Sequence, residues 1–170
     1  YTAPTDRSTL EKGSPVLLLY PAIMNLDGRI AISNGAQTEL PYNDMSRFPS
    51  INQPQQVLEF ALSKSFFRYD PKLGLIDITS FEPDEPNYTP RITGCVIGNY
   101  GALAIARRDV SNKTKKQYYL FPLKEGESKL IMTYDGVDTG REPLHSFNGE
   151  PLDLRLTGKN EKEITSKVRE

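Results

Sequence analysis

Glu82 and Arg91, one able to move a proton and the other to bind an anion, stand at the two ends of one stiff stretch of chain. Between them runs Pro83-Asp84-Glu85-Pro86-Asn87-Tyr88-Thr89-Pro90, with three prolines. Proline removes a backbone donor and pushes its neighbour toward extended geometry, so the stretch from Phe81 to Pro90 reads as an extended loop. An arginine where such a loop enters a strand can fork onto a phosphate or a carbonyl oxygen. A glutamate returned beside it can transfer a proton or accept from an amide. The same two residues also suit a plain Arg–carboxylate pair that pins the loop. Asn87, Tyr88 and Thr89 lead into Arg91, and Pro90 fixes their approach.

A second polar cluster is Asn34-Gly35-Ala36-Gln37-Thr38-Glu39. Its small residues can present backbone N–H groups, with Asn34, Gln37 and Thr38 as side-chain donors or acceptors. Asn-Gly is equally a common turn dipeptide, so a simple reversal of the chain is the competing reading. Tyr20, Tyr88, Tyr118, Tyr119 and Tyr134 stand out among nine tyrosines in a chain without tryptophan. Tyrosine stacks on a purine while offering a hydroxyl, although core packing uses the same properties. Tyr118 and Tyr119 must face opposite ways if they lie on a strand. Cys95 lies in an apolar block, which suits an inert buried thiol. His145 is the only histidine and has no evident partner. Gly126, Gly136, Gly140 and Gly149 form neither a P-loop nor a dinucleotide fingerprint.

The elements that must position these residues are mostly strands. Val16 to Tyr20 reads as a buried strand bounded by prolines, and Asn25-Leu26-Asp27-Gly28 as a hairpin turn into a partner strand, Arg29 to Ser33. Gln53 to Tyr69 carries apolar residues at helical spacing, with Pro54 early in it, and reads as a helix stopped by Asp70-Pro71. Arg91 to Ile97, Ala102 to Arg107, Gln117 to Leu123 and Lys129 to Tyr134 read as an antiparallel meander. Residues 1–158 are expected to be one domain, followed by a charged tail from Lys159 to Glu170 that frays.

Composition narrows the function classes. The chain has 170 residues, 37% hydrophobic and 25% charged, with a net charge of −1, as in a soluble globular domain. A near-neutral balance disfavours a nucleic-acid binder. No apolar run approaches the roughly 18–20 residues that cross a bilayer, so a membrane partner is not expected. One cysteine forms no intramolecular disulfide, and a reducing, cytoplasmic location is expected. Exposed sheet edges make a homo-oligomer an open expectation.

Three motifs in order resemble one family. Ile30-Ala31-Ile32-Ser33-Asn34-Gly35-Ala36-Gln37-Thr38-Glu39 is similar to the strand and Asn-Gly-x-x-Thr-acid loop of archaeal-type IMP cyclohydrolases. Phe81-Glu82-Pro83-Asp84 with Tyr88-Thr89-Pro90-Arg91-Ile92 resembles the second signature of that family. Pro143-Leu144-His145-Ser146-Phe147-Asn148-Gly149-Glu150-Pro151 is similar to a terminal element of its bacterial relatives, with Asn148 in place of a common acidic residue. The resemblance implies an α+β fold, a four-layer αββα sandwich like that of N-terminal-nucleophile hydrolases, with mostly antiparallel sheets. It implies ring closure of 5-formamidoimidazole-4-carboxamide ribonucleotide to inosine monophosphate and water, without metal or organic cofactor. Tyr20, Glu82 and Arg91 would then be catalytic, and Asn34, Gly35, Thr38, Asn87, Tyr88 and Thr89 would bind the purine nucleotide. The family usually carries a further N-terminal segment with an Arg-Ser-rich motif, which Arg7-Ser8 alone does not supply, so such a segment is expected to be missing here. A silent nucleotide-binding relative and a β-rich protein-interaction domain are the alternative expectations.

Overall fold

A computed structural model describes residues 1–135, 144–156 and 162–163. Its helices are α1 (Arg7–Lys12), α2 (Pro15–Leu18), α3 (Glu39–Arg47) and α4 (Pro54–Ala61). Its strands are β1 (Ile23–Leu26), β2 (Arg29–Ser33), β3 (Phe67–Asp70), β4 (Gly74–Asp77), β5 (Arg91–Ile97), β6 (Tyr100–Arg108), β7 (Thr114–Pro122), β8 (Glu127–Leu130), β9 (Tyr134–Asp135), β10 (His145–Ser146) and β11 (Leu152–Arg155). Five of them form one sheet in the order β1-β2-β5-β6-β7, and the rest pair as three ribbons, β3-β4, β8-β11 and β9-β10. All of these pairings are antiparallel, so the mixed α+β class expected from the sequence is what the chain adopts.

The sheet begins with a tight hairpin. Leu26 pairs with Arg29 across Asp27 and Gly28, whose φ values of 49° and 82° are those of a type I′ turn. Gly28 takes that conformation without strain, and its N–H donates to Asn25 Oδ1 at 2.9 Å. On the face toward α3 and α4, one cross-strand row consists of Ala31, Cys95 and Ala102, all at most 1% exposed. These small side chains leave room for Val57 and Leu58 of α4 and Met45 of α3, which are fully buried in the same core. The opposite face carries no such helical layer among the described residues and exposes Ile23 and Ile32.

Several expectations are corrected. Val16 to Tyr20 is not a strand: Pro15 opens a single helical turn, and the N–H of Leu19 donates to Pro15 O at 2.9 Å. Proline preset for a first helical position outweighs the apolar run, and the hairpin partner of β2 starts only after Pro21, at Ile23. The helix expected over Gln53 to Tyr69 stops at Ala61. Beyond it Phe67, Arg68, Tyr69 and Asp70 pair with residues 74–77, because aromatic residues gain more on a ribbon than in a frayed helix end. The loop expected over Asn34 to Glu39 runs directly into α3, a helix for which no expectation was formed. The meander holds for β5, β6 and β7, but β8 leaves it to pair with β11. The charged tail lies almost wholly outside the described residues.

Asp70, fully buried, joins the N-terminal helices to the β3-β4 ribbon. It accepts from Ser14 Oγ at 2.5 Å and from the N–H groups of Lys72, Leu73 and Val16 at 2.8, 3.0 and 3.3 Å. Burial pushes this carboxyl up, and those donors outweigh it, so it titrates below the ordinary carboxylate value. A lowered folded pKa means stability present above the unfolded pKa and lost as pH falls through the folded one. Asp70→Asn is expected to cost about 1–3 kcal/mol at neutral pH, since buried donors lose an acceptor. Its stability deficit should shrink on acidification in urea titrations; a variant as stable as the wild type at neutral pH would contradict this.

Candidate functional site

The site grows from β5, whose first residue turns its side chain to the helical face. Arg91 is 1% exposed, and Nη1 donates to Glu82 Oε1 at 2.9 Å and to Gln37 Oε1 at 3.3 Å. Among the described residues its Nε and Nη2, both buried, have no hydrogen-bond partner. A desolvated guanidinium with spare donors is costly to leave so, and a ligand acceptor would relieve that cost.

The Asn34 loop holds the arginine from one side. Asn34 Nδ2 donates to Pro90 O at 2.9 Å, while its Oδ1 accepts from Ile92 N at 2.7 Å. Gln37 Nε2 donates to Ile92 O at 3.2 Å, which leaves Oε1 for Arg91. Thr38 Oγ1 donates to Gly35 O at 3.0 Å and is hydrogen-bonded to Ser33 Oγ. A Cβ on Gly35 would collide with Arg91 Nη1 and lie 2.5 Å from Gln37 Oε1, so only glycine lets the loop close on the guanidinium. The structure thus places Asn34, Gly35 and Thr38 around Arg91, with the polar groups of Asn34 and Thr38 spent on holding the loop.

The proline loop holds it from the other side. Glu82 N donates to Thr89 O at 2.8 Å, closing the loop at its base. Asp84 accepts from Thr89 N at 2.7 Å and from the Thr89 hydroxyl, which is also hydrogen-bonded to Tyr134 OH. Tyr88 has a φ of 47°, a conformation most side chains avoid, and its ring lies 3.8 Å beneath the Arg108 guanidinium carbon. Asn87 Oδ1 accepts from Leu144 N at 3.4 Å.

Electrostatics bind these pieces into one centre. Burial pushes the Glu82 carboxyl up to about 7, with Arg91 opposing and Asp84 adding to the rise. Burial likewise lowers the Arg91 guanidinium from its usual value, against the nearby carboxylates of Glu82, Asp84 and Asp77. Tyr20 titrates above its ordinary value, first through burial and then through the charge of Glu82. Tyr134 does so through burial, with Asp84 and Glu82 adding to it against the Thr89 hydrogen bond. Glu82 therefore has two protonated phenols within electrostatic reach and a pKa suited to exchanging protons near neutrality.

Of the residues singled out in the sequence, Tyr20, Glu82, Arg91 and Thr89 come together. Asn87 and Tyr88 instead line a neighbouring cleft of 600 Å³ with His145 and Asn148. Tyr118 packs on the core while Tyr119 OH turns to Gly149 O at 3.4 Å, the opposite orientations that a strand requires. Asp84, Arg107 and Arg108 were not singled out. Arg108 was within reach of a register count, because β5 and β6 form one hairpin. Among the described residues no group of His, Cys, Asp or Glu is arranged to hold a metal ion, and no helix is long and apolar enough to cross a membrane.

A raised folded pKa at Glu82 means its contribution to stability is full at acid pH and is lost as pH rises through about 7. Glu82→Gln cannot lose that proton. Its stability relative to the wild type should therefore improve from about pH 5 to about pH 8 in thermal unfolding. A difference that stays flat with pH would remove the raised pKa from the account.

A family model described as IMP cyclohydrolase-like protein matches residues 1–170. A comparison with curated proteins finds no match.

Proposed function

The chain belongs to the IMP cyclohydrolase-like family, and from that premise we propose that it closes the purine ring of 5-formamidoimidazole-4-carboxamide ribonucleotide, giving inosine monophosphate and water. The observation that carries this reading is the buried Arg91, with two unpartnered nitrogens beside a glutamate whose pKa is raised to about 7. Ring closure needs those two functions: a base for an amide proton and a donor set for a carbonyl oxygen that gains charge.

In this reading the carboxamide nitrogen attacks the formyl carbon. Glu82 takes a proton from that nitrogen, and Tyr20 gives one to the formyl oxygen, which becomes a hydroxyl. Arg91 directs Nε and Nη2 to the oxygen as charge develops on it. The hydroxyl then leaves as water while the former formamide nitrogen gives up its proton, forming the ring C=N bond. Both reacting groups belong to one substrate, so holding them together supplies much of the rate. Asn34, Gly35 and Thr38 serve by keeping Arg91 in place, and Thr89 links Asp84 to Tyr134.

The four-layer αββα arrangement is part of the same proposal. It is supported by the uncovered face of the five-stranded sheet, where Ile23 is 70% exposed and a second sheet would bury it. A second copy meeting this face, or the edge at β1, would make a homo-oligomer. The proposal includes a cytoplasmic reaction, which a phosphorylated substrate supports.

Inosine monophosphate should raise the melting temperature of the chain, by the equivalent of about 2.7 kcal/mol at a hundredfold excess over Kd. Glu82→Gln should keep that shift and lower kcat about 10²–10⁴-fold in an assay of ring closure. Undiminished turnover would remove Glu82 from the mechanism. A nucleotide shift without turnover in the wild type would leave a binding protein, and no shift an interaction domain.

A further inference from the structure

We propose that Tyr134, Thr89 and Asp84 form a proton relay that takes up the second proton of ring closure; this rests on the ring-closure reading. Two protons leave nitrogen in that reaction. Glu82 takes the first, from the carboxamide, and its carboxyl is then the acid that turns the departing hydroxyl into water. It cannot at the same time be the base for the second proton, which the former formamide nitrogen loses as the C=N bond forms. That proton needs another route.

Hydrogen-bond direction supplies one. The Thr89 hydroxyl donates to Asp84 Oδ2, and Asp84 Oδ1 accepts from Thr89 N at 2.7 Å. A hydroxyl has a single hydrogen, so Thr89 Oγ1 accepts in its contact with Tyr134 and the phenol is the donor there. The chain therefore runs one way, from Tyr134 through Thr89 to the Asp84 carboxylate. The phenolic oxygen keeps acceptor capacity, and among the described residues no donor takes it. Burial raises Tyr134 above its ordinary value, with the charges of Asp84 and Glu82 adding to it against the Thr89 hydrogen bond. A phenol held protonated is no standing base. It accepts a proton only as it passes its own on, and this chain lets it do so.

The competing carboxylate is otherwise engaged. Asp77 also acts on Arg91, but its Oδ1 is spent on Thr79 N, the Thr79 hydroxyl and Phe66 N at 2.9, 2.8 and 3.2 Å. The relay itself is held without a substrate. Thr89 O accepts from Glu82 N at 2.8 Å, and the next carbonyl, of Pro90, accepts from Asn34 Nδ2 at 2.9 Å. Tyr134 pairs with Ser146 of β10, and Thr133 O beside it accepts from the N–H of buried Phe147 at 3.0 Å.

Atoms and electrons balance along this route. The formyl oxygen leaves as water, carrying the C–O electron pair, one proton from Tyr20 and the carboxamide proton from Glu82. The formamide proton passes to the Tyr134 oxygen, that of Tyr134 to Thr89 and that of Thr89 to Asp84. The N–H electron pair left behind becomes the second bond of C=N. Asp84 ends protonated and Tyr20 deprotonated, and a proton returned from the one to the other through solvent resets the site.

Ring closure assayed on the whole chain tests this. Thr89→Val keeps the backbone contacts of Thr89 and removes only its hydroxyl. It should lower kcat about 10²-fold with KM little changed, and Thr89→Ser, which keeps the relay, should recover most of that loss. Tyr134→Phe should match Thr89→Val, and the double variant should be no slower than either, because a relay fails as a unit. Both variants should keep the rise in melting temperature with inosine monophosphate. Added imidazole, a small diffusible base, should restore part of their turnover and leave the wild type unchanged, a response that a merely structural loss does not give. Undiminished turnover in Thr89→Val or Tyr134→Phe, or a loss that Thr89→Ser shares and imidazole leaves untouched, overturns the relay alone. A wild type without turnover overturns the ring-closure reading and the relay with it.

Discussion

Burying the Arg91 guanidinium is the constraint around which the rest of the site is arranged. Removing an ion from water costs several kcal/mol, and only a close counter-charge and well-placed acceptors offset it. Glu82 supplies the charge at 2.9 Å and Gln37 a second acceptor, yet Nε and Nη2 have no partner among the described residues. The fold thus tolerates a deficit at this one buried cation. Such a deficit is stable only when the surrounding backbone cannot rearrange to relieve it.

Rigidity comes from two loops that meet at the start of β5. Asn34 fastens both Pro90 and Ile92, so the chain on either side of Arg91 is tied to the β2 loop. Asp84 gathers the proline loop from within by accepting from Thr89 twice, and the Thr89 hydroxyl carries the linkage on to Tyr134. Side chains far apart in sequence are thereby locked to one strand end. Scaffold-borne groups are held more accurately than loop-borne ones, and here the loops borrow that accuracy from the sheet.

How much of this was visible beforehand depends on the range of the interaction. β5 from Arg91 to Ile97 and the turn at Gly28 follow from local chemistry, and both are found where expected. Val16 to Tyr20 and the stretch beyond Ala61 were misread, because short apolar runs do not distinguish helix from strand and tertiary pairing decides. Glu82 and Arg91 were visible as a pair at the ends of a stiff loop. The exhaustion of Asn34 by backbone partners was not, nor was the arrival of Tyr134 beside Thr89, since both depend on contacts across 45 or more residues. The pKa of Glu82 belongs to the same class: burial raises it first, with its neighbour Asp84 only adding to the rise.

The row of small side chains beneath the helices also determines how the lone thiol behaves. Cys95 is 1% exposed, its Sγ lies 3.7 Å from Met45 Sδ, and burial pushes its pKa up to about 12. Thiolate is the species that reagents attack, so native Cys95 is silent toward alkylation at neutral pH. Labelling then proceeds only when the sheet and its helices separate. The molecule accordingly carries a single internal chemical clock, whose labelling rate counts openings of its core.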